Sequence, residues 1–331
     1  MSYDGKIMRR ALERYESDKR QRSERFRQRE ETIWAREPRL REIDAELRAT
    51  MGKLVTSALR HGTDPRPPLS VLRDRNLSLQ EERTRLLADM GLPPDCLEEK
   101  PNCPLCGDTG YRDGAVCRCL KGYYAMEQQK ELSRMLDLGS QSFDTFSLDW
   151  YASLPDPDMG ISPRRNMEKN YATCVRFAED FAPGRGNLLL TGTPGLGKTF
   201  LSACIAREVS DGGFSVVYDT AIHVFDRFES QKFGRGSGEE IGADVARIRG
   251  CDLLILDDLG TEMATSFVTS ALYEILNTRL LTGKSTIVST NLSPEEIGAR
   301  YSPQILSRLQ GSYETLVFFG DDIRQLKRRR P

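Results

Sequence analysis

Gly192-Thr-Pro-Gly-Leu-Gly-Lys198-Thr199 is the stretch that decides how this 331-residue chain folds. It matches G-x-x-x-x-G-K-[ST] in full, with Gly192, Thr193, Pro194, Gly195, Leu196, Gly197, Lys198 and Thr199 as candidate phosphate-binding residues. Glycines let several backbone N–H groups point into one concavity, and a helix that begins there adds positive potential. The flanks fit that reading: apolar residues 187–190 predict a strand before the loop, and residues 200–209 predict a helix after it. Lys198 is expected to reach the β- and γ-phosphates of a nucleotide, and the Thr199 hydroxyl to bind Mg2+.

Further along, Leu253-Leu-Ile-Leu-Asp257-Asp258 reads as a buried strand with two carboxylates at its C-terminal end, where ligands of parallel sheets sit. Asp257 is expected to hold Mg2+, directly or through water, and Asp258 to orient and activate the attacking water. A strand ending in two solvated acids is the plain alternative. Asn291 closes Ser289-Thr-Asn291 and is placed to hydrogen-bond the attacking water or the γ-phosphate, although a lone Asn after a strand is ordinarily a turn residue. Arg308, in Ser307-Arg308-Leu309, and Arg324, in Gly320-Asp-Asp-Ile-Arg324, offer guanidinium groups that stabilise charge on a transferring phosphoryl group. Arg308 is assigned to act on a neighbouring subunit and Arg324 as a second sensor. An isolated Arg is otherwise a surface cation; here position in the series decides.

Apolar runs at 188–190, 215–218, 253–256, 285–289 and 315–319 are short and separated by helical segments. They predict an α/β domain over residues 166–331 with a five-stranded parallel sheet covered on both faces. Ahead of it the chain changes character. Residues 1–95 are charge-dense. Leu40, Ile43, Leu47, Met51, Leu54 and Ala58 recur at helical steps, and Leu72, Leu79 and Leu86 recur every seven residues. Leu12, Tyr15, Ile33 and Trp34 suggest a further helix before Pro38, and the prolines of residues 61–68 predict a loop. These apolar stripes fit internal packing or a partner-docking surface. Residues 126–165 read as a helix, from Gly122 to about Leu138, followed by a linker.

Residues 96–125 hold the cysteine pattern. Cys103-Pro-Leu-Cys106 and Cys117-Arg-Cys119 bring four thiols to metal-ligand spacing, separated by Gly107, Gly110 and Gly114 turns. Four thiolates satisfy tetrahedral Zn2+. A C-x-C second pair is less common than C-x2-C, and Cys96 is an alternative ligand. His61 and His223 lie elsewhere in the sequence, so no open catalytic zinc site is expected.

The formal net charge of −1 excludes a globally basic nucleic-acid binder, so any such surface is local. No apolar run approaches the roughly 20 residues of a membrane helix. The charged N-terminus lacks a signal core, which predicts a cytoplasmic chain.

The residues from Phe143 to Arg324 resemble the AAA+ ATPases of the DnaC/DnaI helicase-loader type and their IstB-type relatives. The resemblance is carried by Phe143-Asp-Thr-Phe146, the phosphate loop, Leu256-Asp-Asp-Leu-Gly-Thr-Glu262, Leu272-Tyr-Glu-Ile-Leu-Asn-Thr-Arg279, Ser289-Thr-Asn-Leu-Ser-Pro294, Ser307-Arg-Leu309 and Gly320-Asp-Asp-Ile-Arg324. Two positions depart from the family: Asp258 stands where many AAA+ proteins carry the longer Glu, and Gln304 where relatives often carry a second arginine. The resemblance implies an ATP- and Mg2+-dependent homo-oligomer that grips a hexameric replicative helicase through its N-terminal region and engages single-stranded DNA. Residues 221–233, with Phe225, Arg227, Phe228, Lys232 and then Arg235, resemble the extra helix of this clade. Those aromatics suit base stacking, or simply the buried face of an amphipathic helix. An IstB-type ATPase serving a transposase, and a zinc-containing ATP-binding switch with little turnover, are the competing functions.

Overall fold

The computed structural model describes residues 3–59, 66–136, 141–234 and 238–329. His61, Leu138, Arg235 and Arg330 lie outside the described residues, as do the side chains of Met51, Leu54, Ala58 and Leu72. The chain forms two compact units, one of Arg14–Cys117 and one of Met1–Glu13 with Arg118–Pro331.

The Arg14–Cys117 unit takes most of helix α1 (Gly5–Arg36), together with α2 (Pro38–Leu59), α3 (Arg66–Asp89) and the short antiparallel pair β1 (Tyr111–Arg112) and β2 (Ala115–Val116). Leu40 of α2, Ile33 of α1 and Leu87 of α3 share an apolar cluster with Cys96 and Leu97. In the seven-residue series Leu79 is buried, but Leu87 rather than Leu86 is the fully buried member near the end of α3. Helix α3 begins at Arg66, so Pro67 and Pro68 belong to its first turn and not to the preceding loop. The missing N–H groups there have no intrahelical acceptor in any helix, which removes the expected conflict. Arg39 of α2 holds the Glu82 carboxylate of α3 through two hydrogen bonds, at 2.8 and 3.2 Å.

After Cys117 the larger unit takes α4 (Arg118–Leu136), which starts four residues earlier than Gly122. Two 3-10 turns, Phe143–Thr145 and Leu148–Trp150, lead to α5 (Pro163–Glu179). Then follow β3 (Leu188–Gly192), α6 (Lys198–Asp211), β4 (Val216–Thr220), α7 (Ala221–Phe233), α8 (Gly238–Gly250) and β5 (Leu253–Leu259). The chain closes with α9 (Ser266–Leu281), β6 (Ser285–Thr290), α10 (Pro294–Arg300), α11 (Pro303–Ser312), β7 (Glu314–Phe318) and α12 (Ile323–Arg329).

The five strands are all parallel in the order β4-β5-β6-β3-β7. Alternate side chains along a strand serve opposite faces. Leu188 and Leu190 join Leu201, Ile205, Phe177 and Met167 beneath α5 and α6. Leu189, Val217, Leu254, Leu256 and Val288 join Val224, Phe225, Phe228, Leu272 and Leu309 on the other face. Burial on both faces is why β3 and the start of β5 read as unbroken apolar runs, whereas the edge strand β7 buries only Leu316 and Phe318.

The first residues of the chain belong to this unit. Ile7 and Ala11 of α1 are fully buried. The Asp4 amide donates to the Tyr124 hydroxyl of α4 at 3.0 Å, and Arg247 of α8 pairs with Asp4 at 3.1 Å and with Glu131 of α4 at 2.6 Å.

Candidate nucleotide site and cysteine cluster

The phosphate loop runs from the end of β3 into the first turn of α6. Gly192, Gly195 and Gly197 take φ values of +137°, +82° and +97°, in the region that side chains disfavour. Space adds a second constraint. A Cβ on Gly192 would stand 1.9 Å from the Phe318 carbonyl oxygen, and one on Gly195 would stand 2.1 Å from the Asp322 carboxylate. Thr193 and Pro194 are exposed at the rim, whereas Leu196 is buried and pins the loop to the core. Lys198 is buried. Its Nζ donates to the carbonyls of Gly192 at 2.5 Å and Thr193 at 2.9 Å, and to Asn291 Oδ1 at 2.7 Å. Burial pulls the Lys198 ammonium down to about 8; Asp258 and Asp257 oppose that pull, and Arg324 adds to it.

Strand β5 is irregular between Leu256 and Leu259, and the irregularity separates the two acids. Asp258 adopts φ +53°, and its amide donates to Ser289 Oγ at 3.0 Å and to Asp257 Oδ1 at 3.1 Å. Its side chain faces the nucleotide cavity. Burial, then the neighbouring Asp257, raises its pKa, with Lys198 and Arg324 opposing. Asp257 is buried and held by the Tyr218 hydroxyl of β4 at 2.6 Å and the Ser289 hydroxyl of β6. Burial and Asp257 together push the Tyr218 phenol well above its ordinary range, so it remains a donor. Neither Tyr218 nor Ser289 was assigned a role from the sequence, because only the strand order brings them to Asp257.

The cavity is about 420 Å³. Pro194 to Thr199, Asp258, Asn291 and Arg324 line one part, and Phe146, Trp150 and Tyr151 another. Phe146 stacks on Tyr171 with centroids 5.1 Å apart, and the Tyr151 hydroxyl donates to the Leu196 carbonyl at 3.0 Å. Helix α12 is fixed against the loop by the Ile323 amide on the Gly195 carbonyl at 3.1 Å, and contributes Ile323, Arg324 and Lys327 to the lining. A cationic part beside an aromatic part is the donor set a nucleotide needs, phosphates against Lys198 and base against the rings. The sequence marked Phe146 only through a motif and Lys327 only as the start of the basic run 327–330, and gave no signal for Trp150 or Tyr151, which lie outside any contiguous pattern.

Arg308 does not line this cavity. It projects from α11 toward α9, 2.6 Å from the Tyr273 hydroxyl and 3.1 Å from Asn277 Oδ1, with its guanidinium 4.3 Å from the Tyr273 ring centroid. Arg279, in the same α9 motif, is fully buried and donates to the carbonyls of Ile248, Cys251 and Ser285, a fixture of the sheet's other end. On α7, Val224, Phe225 and Phe228 are core residues, so of the two readings of this helix the buried face of an amphipathic helix holds for these rings. Arg227 and His223 both attach to the buried Asp219, at 2.8 and 3.1 Å. Phe233 is 55% exposed, and Lys232 lies 5.0 Å from the Phe267 ring centroid.

The sulfurs of Cys103, Cys106, Cys117 and Cys119 all lie within 4.8 Å of one another. The Cys103 and Cys117 sulfurs are 3.8 Å apart, matching the edge of a tetrahedron with metal–sulfur bonds of about 2.3 Å. Cys119 sits in the first turn of α4, which explains how C-x-C presents both thiols to one point: the chain turns into a helix between them. The Asp108 carboxylate fastens the Cys103 loop by accepting the Asn102 and Cys103 amides at 2.9 and 2.8 Å. Cys96 is not in this group; it packs with Leu87 and Leu97. The cluster is compatible with a structural zinc module.

A parallel sheet in this strand order, with the phosphate loop on β3, an acidic pair on β5 and a polar residue after β6 between them, defines an AAA+ ATP-binding domain. Residues 168–328 match the family described as IstB-like ATP binding protein. The replicative helicase loader DnaC of Escherichia coli (strain K12) is 24% identical over 148 residues, 44% of this chain and 59% of that protein. The replicative helicase loader DnaI of Bacillus subtilis (strain 168) is 26% identical over 147 residues, 44% of this chain and 46% of that protein. An insertion-sequence ATP-binding protein of Sinorhizobium fredii is 30% identical over 157 residues, 46% of this chain and 62% of that protein. The chain therefore spans about half to three fifths of the curated relatives it matches. A crystal structure of the DnaC helicase loader superposes with a TM-score of 0.45 at 20% identity, covering 55% of this chain and 99% of that one. Over residues 168–328 the ATP-binding domain is similar to the DnaC/IstB-like AAA+ proteins. Among the described residues no helix is long and apolar enough to cross a membrane.

Proposed function

We propose that this protein is a cytoplasmic, ATP-hydrolysing loader that places a hexameric replicative helicase on single-stranded DNA. The observation that carries the reading is the division of the site. Lys198, Thr199, Asp258, Asn291 and Arg324 share one cavity, while Arg308 stands outside it on α11. Such an arrangement suits hydrolysis between subunits of a homo-oligomer. Lys198 and the loop amides hold the phosphates, and Thr199 and Asp257 hold Mg2+. Asp258 activates water, Asn291 orients it, Arg324 senses the γ-phosphate, and Arg308 completes the neighbour's site. Zinc on Cys103, Cys106, Cys117 and Cys119 stiffens the region that grips the helicase. The helicase loaders DnaC and DnaI among the relatives favour this substrate.

The matched family description and the insertion-sequence relative support a second reading, an ATPase that assists a transposase. One assay separates the two. Full-length protein, ATP and a replicative helicase are incubated with a single-stranded DNA circle coated in single-strand-binding protein. Helicase transfer to the circle is the expected result. Absence of transfer, with ATP-dependent binding to duplex DNA and stimulation of a transposase, overturns it in favour of the second reading.

A further inference from the structure

The turn that follows the acidic pair ends on a buried carboxylate for which the nucleotide site has no use. Glu262 is 6% exposed. Its Oε2 accepts the Gly260 amide at 3.0 Å and its Oε1 accepts the Tyr301 hydroxyl. Its backbone carbonyl accepts the Arg300 guanidinium, whose Nε stands 3.9 Å from Oε1. At the other end of the same turn, the Asp258 carbonyl accepts the Thr261 amide at 3.3 Å and the Thr261 hydroxyl at 2.8 Å. Gly260 completes the turn at φ +109°, with Leu292 2.8 Å from where a Cβ would lie. Residues 258–262 therefore have little freedom to move independently.

Tyr301 lies at the junction of α10 and α11. Its ring is buried with Ile297, Ile305 and Leu309, and Gly298 lets Leu306 come within 3.0 Å of its missing Cβ. Helix α11 carries Arg308 one turn beyond Ile305. A continuous path of hydrogen bonds and close packing thus joins Asp258 of one subunit to Arg308 of that same subunit. A carboxylate buried this deeply is costly unless each oxygen is satisfied, and its partners here come from two separate elements, the β5 turn and the α10–α11 junction.

We propose that Glu262 is a positioning residue: it ties the turn after Asp258 to the α10–α11 arm and so sets where Arg308 is presented to the neighbouring subunit. This rests on the reading that Arg308 acts in trans. Because the tie includes the turn beside one nucleotide site and the arm that serves the next, it also gives neighbouring sites a physical link.

Glu262→Gln keeps the side chain's shape and removes its charge. Tyr301→Phe keeps the buried ring and removes one hydroxyl, so it stands as the second test should the first variant fail to fold. Each variant is assayed alone and in mixed oligomers with Lys198→Ala or Arg308→Ala subunits. Both variants are expected to bind a non-hydrolysable ATP analogue as the parent does, and to lose about 10- to 100-fold in kcat, the scale of an ångström-level misplacement of a transition-state group. Turnover should return on mixing with Lys198→Ala subunits, which bring an intact arm, and not with Arg308→Ala subunits, which bring only an intact nucleotide site. Recovery with Arg308→Ala subunits, recovery with neither partner, or an unchanged kcat overturns the proposal. The mixture of Lys198→Ala with Arg308→Ala is the control for the reading beneath it. If that mixture shows no turnover although oligomers form, the trans-acting arginine falls, and this proposal with it.

Discussion

Lys198 is held between two opposing influences, and its chemistry follows from their balance. Burial lowers its pKa to about 8, while the carboxylates of Asp258 and Asp257 pull the other way. A nucleotide's phosphates favour the ammonium form, so the bound protein keeps this proton to higher pH than the free protein. Affinity for ATP should therefore be flat below about pH 8 and fall above it, approaching tenfold per pH unit while the bound form stays protonated. Calorimetry in two buffers of different ionisation enthalpy should register proton uptake on binding above that pH; affinity that stays level would assign the pull of burial to the wrong group. Asp258 allows a complementary prediction. Asp258→Asn should bind the analogue normally and lose roughly 10²- to 10⁴-fold in turnover, the range for removing a general base. Turnover at the parent rate would remove Asp258 from that role. At this scale the loop was legible because its spacing is contiguous. Tyr218 and Ser289 were not, since their approach to Asp257 depends on β4 and β6 flanking β5.

At the level of elements, apolar runs located all five strands to within a few residues, most plainly β3 and β5, which are buried on both faces; the edge strand β7 buries only Leu316 and Phe318. Helix starts were harder to read. Pro67 and Pro68 suggested a loop but sit in the first turn of α3, and α4 begins at Arg118, inside the cysteine pattern. Prolines and metal ligands both tolerate helix first turns, so neither marks an end. The early start of α4 sharpens the metal prediction. Freshly prepared protein should contain about one zinc per chain, and Cys103→Ser or a strong chelator should remove it and unfold the residues around it, since such an ion supplies much of a small module's folding energy. The first turn of α4 should lose protection from hydrogen exchange at the same time, because Cys119 lies within it. The ATP-binding domain should keep its affinity for the analogue. Metal analysis that finds no zinc, or chelation that leaves exchange at residues 103–119 unchanged, refutes the assignment.

Over the whole molecule, the division of the chain does not follow the sequence in order. Composition suggested that residues 1–95 form one helical region, whereas residues 3–13 group with the ATP-binding domain a hundred residues further on. Composition could not show this, because α1 is one uninterrupted helix across the division and the contacts that separate its two parts are with distant segments. Ile7 and Ala11 are fully buried, the Asp4 amide bonds to Tyr124, and Arg247 joins Asp4 to Glu131, which also pairs with Arg10. Removing the buried methyl groups in Ile7→Ala should cost about 2–5 kcal/mol. That loss belongs to one unit, and calorimetry can say which. The ATP-binding domain's transition is the one a bound nucleotide raises, since a ligand that binds only the folded state stabilises it. Zinc removal should instead shift mainly the transition of the Arg14–Cys117 unit, which holds three of the four thiols, with a local loss in the first turn of α4, where Cys119 lies. Ile7→Ala should lower the nucleotide-sensitive transition by about 2–4 °C for each kcal/mol lost. The other transition should stay in place. Arg247→Ala should act on the same transition, because it leaves Asp4 and Glu131 without their shared partner. If Ile7→Ala moves only the zinc-sensitive transition, the N-terminal residues take their stability from the other unit, and the division at Glu13 is wrong.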